Sequence, residues 1–220
     1  MKILCIPDIH GRDFWKKPCQ KWQGPIVFLG DYHDPYPNEV SKEKSLKNLE
    51  ELVNFTEQRE ALSVFLLGNH DLGYIPTYTG QPFCRHDYHN HDKVAKLLNA
   101  LHIQNTFVCD KVVFSHSGIL PAWLEKYELY NGIWDAELLG FNHPALQAVS
   151  SYRGGDSVGS CIYGDVREYD EQPHFPEYYQ IFGHTQLNKD PIIKKDYACL
   201  DCRQCFVVDT ETKEITTYNE

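Results

Sequence analysis

Five short apolar runs in this chain each stop at a cluster of residues able to ligate metal. KILCI (residues 2–6) leads into Asp8 and His10, PIVFL (25–29) into Gly30, Asp31, His33 and Asp34, and SVFLL (63–67) into Gly68, Asn69, His70 and Asp71. VVF (112–114) leads into Ser115, His116 and Gly118, and YQIF (179–182) into Gly183, His184 and Thr185. Short bulky or β-branched runs without polar alternation suit strands covered on both faces. In open α/β sheets, ligands bind beyond the carboxyl ends of the strands. The five clusters are therefore expected to converge on one site.

The segments between these runs set the fold class. Leu46, Leu49, Leu52 and Val53 recur at helical spacing within residues 38–60, and Val94, Leu97, Leu98 and Leu101 do so within residues 92–101. Strand, helix, strand, helix is an α/β pattern with a largely parallel central sheet. The second half reads as antiparallel: a hairpin over residues 106–114 turning at Asp110-Lys111, then strands at 179–182, 198–200 and 206–208, the last pairing with 215–218. Residues 132–176 are rich in Gly, Pro, Asn and Asp, and read as long loops around one or two short helices. Loops of that length in a compact domain are usually functional.

Composition narrows the function. The 220 residues suit one domain spanning the whole chain, without internal repeats. Twenty-one Lys and Arg against 31 Asp and Glu give a net charge of −10, a poor basis for gripping nucleic acid by its phosphates. No apolar run approaches the ~20 residues of a membrane span. The apolar start is too short for a secretory signal, so the eight cysteines are read as reduced thiols in a cytoplasmic protein. Cys199, Cys202 and Cys205 form a spaced series but lack a partner pair at zinc spacing, and read as a strand and turn with small thiols. His86, His89 and His91 read as a histidine-rich loop at a helix start near the site entrance; His33 could touch substrate or face solvent.

The strand-end residues have a shared chemistry. Asp oxygens and His nitrogens suit divalent first-row metals, while an Asn oxygen is a weaker neutral ligand. One ion would not need Asp8, His10, Asp31, Asn69, His116 and His184. Two ions ~3.5–4 Å apart, bridged by one carboxylate and one hydroxide, would use them all. Scattered turn residues are the competing reading, but turns do not favour a histidine at each strand end.

D-x-H, G-D-x-x-D, G-N-H-D, H-x-G and G-H-T, in this order from Asp8 to His184, resemble the calcineurin-like metallophosphoesterase superfamily. DIHG, GNHD, SHSGI, GHTQ and the C-terminal ACLDC…CFVVDTETKEI most resemble its branch of bacterial and phage serine/threonine protein phosphatases and symmetrical dinucleoside-tetraphosphate hydrolases. The resemblance implies a four-layer α-β-β-α sandwich with mixed sheets and a centre of two divalent ions, manganese foremost, with iron, zinc or cobalt as alternatives. It assigns Asp8 and His10 to the first ion, Asp31 to the bridge, and Asn69, His116 and His184 to the second. His70 takes the general acid's place and Asp34 that of the carboxylate holding it protonated. The implied activity is phosphomonoester hydrolysis by in-line attack of a metal-bridging hydroxide, on a phosphoprotein or a small phosphate ester. Hydrolysis of dinucleoside polyphosphates is the alternative. A non-catalytic protein-binding scaffold is a third reading, disfavoured because this chain keeps all six ligands.

The chain also departs from the branch pattern. Asp34 is followed by Pro35-Tyr36-Pro37 where the pattern continues with Arg-Gly, so a phosphate-binding arginine is missing. Arg12, Arg153 and Arg167 are the candidates to replace it. Gln186 stands where phosphodiesterase and nuclease branches carry a second histidine, which tilts against them. Substrate choice is assigned to the loops at residues 72–90 and 132–176.

Overall fold

The computed structural model describes residues 1–80 and 85–218. In chain order the elements are β1 (Lys2–Ile6), α1 (Lys16–Lys21), β2 (Ile26–Phe28), α2 (Lys42–Glu57), β3 (Ser63–Phe65), α3 (Asn69–Leu72) and α4 (His91–Ala100). The second half adds β4 (Thr106–Cys109), β5 (Val112–Ser115), α5 (Pro121–Lys126), α6 (Ile133–Leu138), α7 (Glu168–Glu171), β6 (Tyr179–Phe182), β7 (Ile192–Ile193), β8 (Tyr197–Cys199), β9 (Phe206–Asp209) and β10 (Ile215–Thr217). One mixed sheet has the order β10-β9-β1-β2-β3 and the other β4-β5-β6-β8-β7. β1, β2 and β3 run parallel at one side of the first sheet, with β9 and β10 added antiparallel beyond β1. In the second sheet β5, β6 and β8 form a parallel centre with β4 and β7 antiparallel at the edges, which corrects the antiparallel reading of residues 179–182 and 198–200.

Side-chain alternation along β1 shows how the layers stack. Leu4 and Ile6 join Phe28, Phe65, Trp15, Leu49 and Leu98 in a core under α1, α2 and α4. Ile3 and Cys5 face the other way and meet Val27, Val112, Phe114 and Ile181 from the second sheet. Val113 points to the outer side of that sheet, against Trp123, Leu124, Ile133 and Ala136 of α5 and α6. Helices, sheet, sheet, helices is the α-β-β-α sandwich expected from the sequence. Each of the Leu, Ile, Val and Phe side chains among them contributes about 1.5–3 kcal/mol by leaving water. The inner strands lack polar alternation because both their faces are covered.

Several elements escaped the sequence pattern. α1 and α5 are six residues long, too short to show a repeat. Their prolines, Pro18 and Pro121, lie in the first turn, where a missing N–H costs nothing. GNHD is not a loop: Gly68 caps α3, and its next three residues form that helix with Leu72. Residues 132–176 hold two short α-helices and also two 3₁₀ turns, at Pro144–Gln147 and Ser151–Arg153.

Candidate metal centre and active site

The ends of both sheets' parallel strands deliver the predicted residues to one place. Asp8 and His10 follow β1, Asp31 and Asp34 follow β2, and Asn69 and His70 open the helix after β3. His116 and His184 follow β5 and β6 of the second sheet. The chain turns sharply at these points: His10, Asp31, Asp34 and His184 have φ of 45°, 54°, 54° and 62°. Left-handed backbone at such residues costs about 1–3 kcal/mol each and concentrates at functional sites. Two glycines permit the close approach. A Cβ on Gly30, whose φ is 110°, would lie 2.6 Å from the Gly68 nitrogen, and one on Gly183 would lie 2.3 Å from Asp8 Oδ1.

The hydrogen bonds fix which ring nitrogens face the centre. His10 Nδ1 donates to the His33 carbonyl at 3.1 Å, and His116 Nδ1 to the Leu29 carbonyl at 2.7 Å. Burial pushes the His10 pKa down to about 3 and also lowers that of His116, so both rings are neutral. Each therefore presents an Nε2 lone pair. These lone pairs point at acceptors: His10 Nε2 lies 3.3 Å from Asp31 Oδ2, and His116 Nε2 lies 3.7 Å from that oxygen and 3.1 Å from Asn69 Oδ1. His184 Nε2 is buried without a hydrogen-bond partner among the described residues. Lone pairs facing a carboxylate repel unless a cation stands between them, so this donor set fits divalent metal.

The carboxylates carry the same message. Asp8 accepts the His184 N–H at 2.9 Å, yet burial, then the charges of Asp201 and Asp31, push its pKa well up. A bound cation would remove that penalty. Asp31 lies below the ordinary range. Burial acts to raise it, while the His70 N–H, 2.9 Å from its Oδ1, stabilises the ionised form.

Ligand atoms close enough to share an ion form two groups among the described residues: Asp8, Asp31, His116 and His184, and His10, Asp31 and His70. Asp31 belongs to both. The partition differs from the expected one, because Asp8 lies with His184 and His116, while the His10 ring packs edge-on against His70 with centroids 5.1 Å apart. Asn69 joins through its contact with His116.

His70 and Asp34 also meet, His70 Nδ1 lying 3.1 Å from Asp34 Oδ2. The Tyr74 hydroxyl donates to the other oxygen of Asp34 and accepts the Asp87 N–H at 2.7 Å. On its far side, His70 Nε2 lies 3.0 Å from Arg85 Nη2. Beneath the site, Asp71 accepts the N–H groups of Asp31, Tyr32 and Gly68 at 2.7, 3.0 and 2.9 Å, tying the end of β2 to that of β3.

Sequence reasoning assigned no role to four of these residues. Asp71 sits inside the GNHD motif, and Asp201 lies just beyond β8, so both carried the strand-end signal used for the others. Tyr74 and Arg85 follow no strand, and nothing in their spacing marks them.

The three predicted arginines have different surroundings. Arg12 Nη1 reaches the Asp8 carbonyl at 3.4 Å while Nε pairs with Glu39 at 2.7 Å. Arg153 Nη2 lies 3.4 Å from the His184 carbonyl and 3.0 Å from Thr185, beside the centre. Arg167 is exposed, its guanidinium spread over Asp165 and the Tyr152 carbonyl. His33 is buried between Ser45 and Asp87, which decides against the solvent-facing reading. His86 bonds His91 at 3.0 Å and stacks on Tyr74, while Gln186 is exposed. Neither the histidine patch nor the Cys199, Cys202 and Cys205 series forms a metal-sized group among the described residues. Seven described cysteines are free thiols; Cys84 lies outside the described residues.

The sequence profile of the calcineurin-like phosphoesterases matches residues 1–197. The chain belongs to this family. It is accordingly a hydrolase of phosphoesters, and its family uses divalent metals. Among solved structures, a cold-active protein-tyrosine phosphatase of a psychrophilic Shewanella species matches with a TM-score of 0.60 at 13% identity, covering 99% of this chain and 80% of its own. A second structure of a cold-active protein tyrosine phosphatase gives 0.57 at 14% identity, covering 100% and 79%. These likenesses establish the fold. A search of curated proteins finds no significant match. No helix among the described residues is long and apolar enough to cross a membrane.

Proposed function

We propose that this phosphoesterase is a phosphomonoesterase, one domain over residues 1–220, working with two divalent ions. The observation that carries the reading is the convergence of two neutral imidazole lone pairs on Asp31. Asp8, His10, Asp31, Asn69, His116 and His184 would hold the ions, manganese foremost. When bound, the pair supplies a water deprotonated near neutral pH and positive charge facing the phosphoryl oxygens.

The chain's own residues do the rest. Asp31 and Asp8 set the charge balance, and their burial keeps bulk water from screening it. Asp34, held by Tyr74 on one oxygen, orients the His70 ring through Nδ1. That leaves Nε2 as the proton donor to the departing alkoxide. A phosphoprotein or small phosphate ester is the substrate class. Seven free thiols agree with a reducing, cytoplasmic setting.

The test is hydrolysis by manganese-loaded protein. p-Nitrophenyl phosphate should be cleaved well and the bis-aryl diester poorly; preference for the diester would refute the monoesterase reading. His70→Asn should slow poor leaving groups more than activated aryl esters. Equal losses would remove His70 from the acid role. Turnover of phosphopeptides against dinucleoside tetraphosphates then separates the two substrate classes.

A further inference from the structure

The pattern calls for an arginine just after Asp34, and this chain has Pro35 and Tyr36 there. The Tyr36 ring packs edge-on against the His10 ring, with centroids 5.1 Å apart. Over its face, 3.8 Å from the centroid, lies the guanidinium carbon of Arg85. A cation over an aromatic face is both attracted and held flat. The segment carrying Arg85 is pinned on its C-terminal side: the His86 carbonyl accepts from Lys42 at 2.9 Å, and the Asp87 N–H donates to Tyr74. Arg85 itself has a φ of 74°, a conformation an arginine rarely adopts without tertiary support.

The orientation of the guanidinium names its partner. Nε–H and one Nη2–H lie on the same edge, the fork that binds two phosphate oxygens at once. Here Nη2 faces His70 Nε2 at 3.0 Å, and Nε is buried without a hydrogen-bond acceptor among the described residues. The fork is thus turned toward the nitrogen assigned to the leaving group, with one donor lacking an anion.

We infer that Arg85 grips the substrate's phosphoryl group, doing from the loop after α3 what the arginine absent after Asp34 would have done. The inference rests on the phosphomonoesterase reading. On binding, the fork passes from His70 Nε2 to two phosphoryl oxygens, which frees Nε2 to take a proton from solvent and then face the leaving oxygen. Tyr36 is then the platform that holds the fork at the site edge.

Inorganic phosphate is the probe, measured by titration calorimetry and by inhibition of aryl-phosphate turnover, with manganese-loaded protein. Arg85→Ala should weaken phosphate binding about 10- to 100-fold, the loss typical of a charge-assisted hydrogen-bonded pair. Its manganese content and thermal midpoint should stay at the wild-type values. Should that variant fail to fold, Arg85→Gln keeps the stem, removes the charge and carries the same expectation. Wild-type protein that binds phosphate, with an unchanged affinity in the folded variant, would overturn the assignment of Arg85 alone. Wild-type protein that neither binds phosphate nor cleaves the monoester would overturn the underlying reading as well.

Discussion

Asp71 offers the most direct check on how the site is held together. Its carboxylate, fully buried, accepts three backbone N–H groups, from Asp31, Tyr32 and Gly68. Asp71→Ala would leave all three donors buried without acceptors. At about 1–3 kcal/mol for each unsatisfied group, the loss sums to roughly 3–9 kcal/mol. Total stability of a domain is about 5–15 kcal/mol, so the variant is expected at the edge of folding. Asp71→Asn is milder and more informative. Its amide oxygen can keep the N–H groups of Asp31 and Gly68, which share Oδ2, but its NH₂ then faces the Tyr32 N–H, donor against donor. One lost bond predicts about 1–3 kcal/mol. Urea unfolding of the metal-free proteins, followed by circular dichroism, gives both differences. An alanine variant within 1 kcal/mol of wild type, by an order-of-magnitude reading of these costs, would show that the strand ends do not depend on this carboxylate.

The remaining predictions concern metal and pH. Asp31→Asn should abolish both manganese binding and phosphatase activity while preserving the circular dichroism spectrum; full metal occupancy in the variant would refute Asp31 as the shared ligand. Asp165 is buried, which acts to raise its pKa, but the hydrogen bonds from Arg167 and the charge of Arg153 hold it below the usual range. A depressed carboxyl adds stability above its unfolded pKa of about 3.9 and loses it as pH falls through the lower folded value. Asp165→Asn should therefore cost about 1.5–3 kcal/mol at pH 7 and progressively less below pH 4; a difference independent of pH would exclude the ion pairs as its source.

What could be read from the sequence followed a physical rule. The covered strands were legible because continuous apolar runs have few alternatives, and the six candidate ligands because each follows such a run. α2 and α4 were legible through their periodic faces. The layering itself came from family resemblance, since alternation along β1 is invisible when both faces are apolar. α1, α5 and the 3₁₀ turns lack the length to show a period. Tyr74 and Arg85 owe their places to tertiary contacts with Asp34, His70 and Tyr36, and no local pattern encodes those. Asp71 differs, because its clamp on two strand ends is a property of GNHD that ligand-seeking overlooks.

The proposed ligand set straddles the seam between the two sheets. Asp8, His10, Asp31 and Asn69 hang from one, and His116 and His184 from the other. Relative slippage of the sheets would pull the centre apart, so the dry layer of Ile3, Val27, Val112, Phe114 and Ile181 acts as its alignment pin. Metal affinity in this protein should then report on packing deep in the sandwich.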